Sequence, residues 1–385
     1  MIESIGEEIF NFQDERFADI QMLRYQLPDF EALTIRQKQL IYCLSEATLF
    51  GRDITFDQFG KYNLRIRKTL EAVYLNYNGD RLENNFRALE EYLKHVWFAS
   101  GIYHHYACDK FSPSFSEDFF RNVVSAIDAK VLPLREGESV NSLLNELCPV
   151  IFDPTILPKR VDKADGKDIV RSSACNYYDG VSQHEVEEFY AKLKKEGPAV
   201  EAPSYGLNST LVKEGDSIRE DVWKIDGKYG AAIEKIVYWL ERAKEFVEND
   251  QQLHVINLLI RFYKTGDLHD FDIYSIEWLC EQEGLIDFIN GFIEVYGDPM
   301  GLKGSWEGIV EYKDLEATHR TQAISANAQW FEDHSPVNPQ FRKPVVKGVT
   351  ANVICAAMLG GDEYPASAIG INLPNADWIR AEHGS

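Results

Sequence analysis

Residues 291–301 read GFIEVYGDPMG, and the interpretation of this stretch decides how the chain around it is organised. On spacing alone it closes a helix running from about Leu285, with Gly297 as the C-terminal cap and Asp298-Pro299 as the stop. That accounts for Gly297 and Pro299. It leaves Glu294 and Tyr296, a carboxylate and a phenol at the end of an element, without a structural task. A second stretch, INLPN at 371–375, reads as a turn with Pro374 in the second position and Asn375 in the third.

Outward from these stretches, helical periodicity dominates. Ile233, Ile236, Val237, Leu240, Ala243 and Val247 form one apolar stripe at helical spacing. Similar patterns predict helices over about 35–50, 62–77, 82–99, 251–264, 271–282 and 313–332. Thr34 and Ser116 suit N-caps, and Ser182 with Glu185 makes a capping box that starts a helix to about Lys195. Between 150 and 230 the texture changes to Gly/Asp/Pro-punctuated runs of β-favouring residues, with a hairpin turning at Glu214-Gly215-Asp216. The fold class is therefore α+β: mostly helical, with a small sheet or barrel among the helices rather than βαβ repeats. Residues 196–204 (EGPAVEAPS) are the best linker, and 336–345 form a second break.

The 385 residues are 45% apolar and 26% charged, with a net charge of −22. Such a balance makes nucleic acid a poor partner, because phosphate contacts need clustered Lys and Arg. The densest basic stretch, Arg65, Arg67 and Lys68, reads as a solvated helix face. Six scattered cysteines, none in a C-x-x-C, argue against a disulfide framework and a zinc knuckle. No run of about 18 apolar residues offers a membrane span. The start, MIESIGEEIFNF, lacks signal-peptide character, so the cytoplasm is the expected location, although a removed leader to the periplasm or envelope would leave the same picture. Oligomeric state has no signature.

Phosphate-binding and nucleophile-elbow motifs are absent from the sequence. Two near-motifs for metal fail. His184-Glu185-Val186-Glu187-Glu188 begins like H-E-x-x-H, but Glu188 stands where the second histidine belongs and Glu185 is engaged in capping. His104-His105 with Cys108 would place at most one histidine beside the thiol if the segment were helical. It reads instead as aromatic packing around a satisfied histidine. The residues predict no metal ligand in this chain.

IEVYGDPMG, KDLEATHRTQAISANAQWFEDHSP and AIGINLPNADWIRAEHGS, with GKYNLRIRKTLEAVYLNYNGDR and YLKHVWFASGIYHHYACDKF upstream, resemble the dipeptidyl peptidase III family of zinc metallopeptidases, especially its bacterial branch. The resemblance runs collinearly from about Phe17 to Ser385. It implies a predominantly helical bilobed fold. Residues 1–312 would form a lobe bearing a small β-barrel at about 150–230. Residues 313–355 would form a helical segment of the zinc lobe, and 356–385 a return through the hinge.

The resemblance also implies an activity: release of dipeptides from free peptide N-termini. Family members hold zinc through H-E-x-x-G-H and E-E-x-R-A-[DE], whose helix must widen locally to face both histidines inward. Neither motif occurs in these 385 residues. Relatives carry both beyond the position matching Ser385, so Ser385 reads as a cut in mid-course. The expectation is a substrate-binding part with no catalytic residue and no bound zinc, inactive alone. Its partners would be short peptides with a free N-terminus, not nucleic acid or membrane. By motif context Glu294, Tyr296, Asn372 and Asn375 match the amine clamp, supplying one carboxylate, one hydroxyl and two amide oxygens for an ammonium. Glu307 in SWEGIV reads as a supporting or surface carboxylate. The alternative is a non-catalytic peptide-binding or scaffold protein derived from the same fold.

Overall fold

The computed structural model describes residues 10–346, 351–365 and 368–385, so most of the N-terminal MIESIGEEIFNF lies outside the described residues. A hairpin, β1 (Gln13–Phe17) and β2 (Ile20–Leu23), precedes six helices: α1 (Ile35–Phe50), α2 (Arg52–Gln58), α3 (Asn63–Asn76), α4 (Asn84–Phe98), α5 (Glu117–Ala126) and α6 (Val140–Phe152). There follow α7 (Ile169–Ser172), β3 (Tyr178–Asp179), α8 (Gln183–Glu196), β4 (Ser209–Glu214) and β5 (Ser217–Val222). Three helices, α9 (Gly230–Ala243), α10 (Asp250–Thr265) and α11 (Leu268–Cys280), lead into β6 (Ile286–Glu294) and β7 (Ser305–Lys313). The chain then runs through α12 (Leu315–Ser325) and α13 (Ala328–His334) to β8 (Ile354–Gly361) and α14 (Asp377–Glu382).

The caps behave as their chemistry requires. Thr34 and Ser182 both close capping boxes, with Gln37 and Glu185 respectively, and Ser116 Oγ accepts the Phe119 amide. The hairpin at Gly215-Asp216 joins β4 to β5 with Glu214 opposite Ser217. The expected barrel is not closed. β3, only two residues long, pairs parallel to β4, and with β5 they make an open three-stranded sheet. So few strands cannot curl round to meet, and α8 covers the sheet through Val186 and Tyr190.

The largest departure from expectation is at 285–297. No helix forms there. Ile286–Glu294 is a strand in an antiparallel sheet of order β6-β7-β8. Its side chains are apolar in both directions because both faces are covered. Phe288 and Phe292 join the core of α1, α9 and α10, while Ile289 and Ile293 meet Leu373 and Trp278. A strand buried twice loses its period-2 signature. All nine residues of β7 are buried. Helix α1 lies close on this sheet at two glycines: a Cβ on Gly308 or Gly360 would come within 2.8 and 2.6 Å of Thr48 side-chain atoms.

A separate core under α3–α6 gathers Leu70, Leu89, Leu93, Phe120 and Leu147. Here the basic stretch departs from a solvated face. Arg67 is 3% exposed, lies over the Phe56 ring and pairs with Asp53 at 2.8 Å. Arg65 bonds Glu138 at 2.6 Å and Glu146, and only Lys68 keeps to the surface. Guanidinium stems pack on apolar surface while their donors find carboxylates. The expected helix over 313–332 is split in two at Ala326 and Asn327. The linker 196–204 is largely exposed, and the break at 336–345 holds one exposed turn at Pro339–Phe341.

Candidate amine-binding site

The β6–β7 connection is built around Asp298. Fully buried, its carboxylate accepts the amides of Met300, Leu302 and Lys303 at 2.8–3.1 Å and the Tyr178 hydroxyl at 2.8 Å. The aspartate read as a helix stop is thus the anchor of a loop. Lys303, also fully buried, donates to Ser209 Oγ at 3.0 Å and to Tyr190, fastening that loop to the small sheet. Burial pulls its ammonium down to about 8, with Glu220 and Asp298 opposing.

This loop fixes the end of β6, where the register shifts between Phe292 and Glu294. The irregularity re-aims Glu294. Asn375 Nδ2 donates to Glu294 Oε1 at 3.2 Å. Tyr296, about half exposed, donates its hydroxyl to Asp362. Burial and the Asp362 charge push that phenol well above its ordinary range. Of the four residues matched to the clamp, the structure brings Glu294 and Asn375 into contact and sets Tyr296 in the same corner. Asn372 is exposed and lines two other cavities, one with Phe331 and Arg380, one with Asp287 and Glu311. Residues 371–376 form neither strand nor turn, and the peptide bond before Pro374 is cis.

Three further acids complete the corner. Glu307 lies opposite Gly291 on one side and Gly361 on the other, so Asp362 and Glu363 follow directly beside it. Glu307 is not a surface residue. It is 0% exposed, and neither carboxylate oxygen has a hydrogen-bond partner among the described residues. Burial, reinforced by Glu294, Asp362 and Glu363, pushes it well above the usual carboxylate range. Burial likewise lifts Asp362 to about 6, with the Tyr296 hydroxyl and Arg160 pulling the other way. The sequence did hold a signal for Glu307: an acid inside an otherwise apolar run. That run was not read as a strand.

The His104-His105-Cys108 segment is a turn rather than a helix. Its two imidazoles stack at 4.5 Å, and His104 Nδ1 accepts the Tyr106 and Ala107 amides. His184 sits 3.4 Å from Glu188 on an exposed face, while Glu185 bonds Ser182 and Lys213. Among the described residues no group of three or more His, Cys, Asp or Glu could hold a metal ion.

Helical layers on small sheets are also the fold of solved dipeptidyl peptidase III structures. The solved dipeptidyl peptidase III from Caldithrix abyssi superposes with a TM-score of 0.64 at 16% identity, covering 92% of this chain and 55% of that one. The enzyme from Corallococcus sp. strain EGB gives 0.65 at 17%, covering 92% and 54%. The chain belongs to peptidase family M49, whose model matches residues 179–385. It is 23% identical to human dipeptidyl peptidase 3, over 92% of this chain and 52% of that protein. To the Nematostella vectensis protein of the same name it is 22% identical, over 78% and 44%. The chain spans about half the length of the curated relatives it matches.

Proposed function

We propose that this chain is the substrate-docking part of a dipeptidyl peptidase III-like exopeptidase, which releases dipeptides from free peptide N-termini. The acidic corner supports the reading. Its four carboxylates have only neutral hydrogen-bond partners among the described residues: Asn375 for Glu294, Tyr296 for Asp362, the Ala368 amide for Glu363, and none for Glu307. A peptide ammonium brings a positive charge and three donors, which such a corner lacks. In this proposal Glu294 is the principal ion partner. Tyr296, its proton committed to Asp362, offers hydroxyl lone pairs, and the Asn375 amide oxygen accepts the rest, with Asn372, which lines neighbouring cavities in this structure, joining only if residues 371–375 shift on binding.

The zinc motifs of the family, H-E-x-x-G-H and E-E-x-R-A-[DE], do not occur in the sequence, so the proposal gives this chain docking and positioning but no catalytic residue. The 385-residue chain alone is expected not to release dipeptides. The division into a lobe over 1–312, a helical excursion over 313–355 and a return over 356–385 belongs to the same proposal. So does a cytoplasmic location, to which the six free cysteines are suited. No helix among the described residues is long and apolar enough to cross a membrane.

Calorimetric titration with a short free-amine peptide tests the docking role. Binding that vanishes on N-acetylation is the expected result, and equal binding of both forms overturns it. Dipeptide-arylamide cleavage by the purified chain would overturn the assignment of docking without catalysis.

A further inference from the structure

Helix α11 carries three acids near its start, and two are accounted for. Asp267 accepts the His269 amide at 2.9 Å, and Asp270 pairs with Arg261 at 2.8 Å and with the Thr265 hydroxyl. Asp272 is different. It is 5% exposed, and no donor among the described residues reaches its carboxylate. A carboxylate so little exposed, whose oxygens meet only the cavity and no protein donor, is partly desolvated without compensation, a cost that a ligand cation would relieve.

Asp272 lines a cavity of about 410 Å³ between α11, the covered face of β6 and residues 373–377. That volume falls within the range of small-molecule pockets. Its walls include Phe271, Tyr274, Trp278, Ile293, Leu302 and Pro374. The other charged groups are Lys194 from α8 and Asp377 from α14, both exposed at the rim. Ser275 is occupied, donating to the Phe271 carbonyl at 2.9 Å. Glu294 does not line this space, although its neighbours Ile293 and Val295 do, and the cavity shares Asn375 with the amine-binding corner.

We propose that this cavity is a binding site for a small organic monocation with an apolar body, an arylalkylammonium, whose ammonium seats on Asp272. One buried carboxylate matches one positive charge, and three aromatic residues around it favour a cation over their faces. The apolar walls bury the rest of the ligand. Without a ligand the unpaired charge is disfavoured: burial, then the charge of Asp267, lifts Asp272 to about 7. A strongly shifted acid in a walled cavity is a mark of a functional site. The site is separate from the peptide-docking proposal and does not depend on it.

Calorimetry at pH 8 on the full chain, with 2-phenylethylammonium and its neutral isostere 2-phenylethanol, tests the assignment. The ammonium should bind at least tenfold more tightly than the alcohol. Asp272→Asn should lose at least tenfold of the ammonium affinity, and Glu188→Gln, an exposed acid on α8 outside the cavity, should leave it unchanged. Equal binding of the two probes, or no binding of either, overturns the proposal on the unaltered chain and needs no variant. Loss of ammonium binding in Glu294→Gln, with Asp272→Asn unaffected, would move the cation to the peptide corner and also overturn it.

Discussion

Asn375 Nδ2 and Glu294 Oε1 are 3.2 Å apart, joining the last irregular stretch of the chain to the end of β6 across 81 residues. The amide holds the carboxylate in one orientation before any ligand arrives, which lowers the ordering cost of binding. Glu294→Gln should therefore weaken free-amine peptides by roughly 10- to 100-fold, as expected for a charged hydrogen bond worth about 1.5–3 kcal/mol. The same substitution should leave N-acetylated peptides unaffected, and paired titrations of both forms check it.

Tyr296→Phe should act differently. Removing the hydroxyl takes the proton donor from Asp362, which burial already lifts to about 6. Peptide affinity should fall by roughly fivefold, in keeping with about 1 kcal/mol for a neutral hydrogen bond. Asp362→Asn should restore part of it by relieving the unpaired acid. No recovery in the double variant would remove Asp362 from the account.

Glu307 gives a pH prediction with a definite sign. Its folded pKa is raised, so the native state keeps the proton at pH values where the unfolded chain has released it. Stability from this group is then full below the ordinary carboxylate range and is lost as pH rises toward the folded value. Glu307→Gln, which is neutral without taking up a proton, should stabilise the chain at pH 8 by about 1.4 kcal/mol for each pH unit over which burial raises the carboxyl. The gain should shrink toward pH 4. Urea midpoints of both proteins at the two pH values decide the matter.

Gln58 should be the most sensitive neutral side chain near the site. Its amide donates to the Gly304 carbonyl at 3.0 Å and accepts the Trp306 amide at 2.8 Å, tying α2 to the start of β7. Gln58→Ala leaves two buried backbone groups unsatisfied and should cost roughly 2–4 kcal/mol. Gln58→Glu, keeping only the acceptor, should recover part of this at low pH, where the carboxyl can also donate. Thermal unfolding at pH 4.5 and 7.5 would show it.

Helices were legible because their burial has a period. Ile233, Ile236, Val237, Leu240 and Ala243 are all buried along α9, as the spacing required. Strands β6 and β7 were illegible for the opposite reason: with both faces covered, Ile286 to Ile293 shows no alternation to separate it from a helix. The amine-side residues came from motif resemblance, and spacing alone gave them no role. Asp362 and Glu363 have no sequence signal, and Glu307 reads only as a supporting or surface carboxylate, because only the register of three strands brings the three together. Arg65 and Arg67 misled for a related reason, since their carboxylate partners lie elsewhere in the chain, Glu146 and Asp53 on other helices and Glu138 in the loop before α6.

The sheet order has a mechanical corollary. β8 is laid along β7 only after the chain has travelled out through α12 and α13 and back. Asp314 and Thr318 meet Val353 at the base of that excursion: the Asp314 amide donates to the Val353 carbonyl at 2.8 Å, and the Val353 amide donates to Thr318 Oγ1 at 2.9 Å. The excursion is therefore a loop closed at its neck, like a key ring whose ends are clipped together. A protease nicking it near 336–345 would cut the covalent chain while the ladder between β7 and β8 held the two pieces as one particle. The corner that gathers Glu307 with Asp362 would survive a broken backbone.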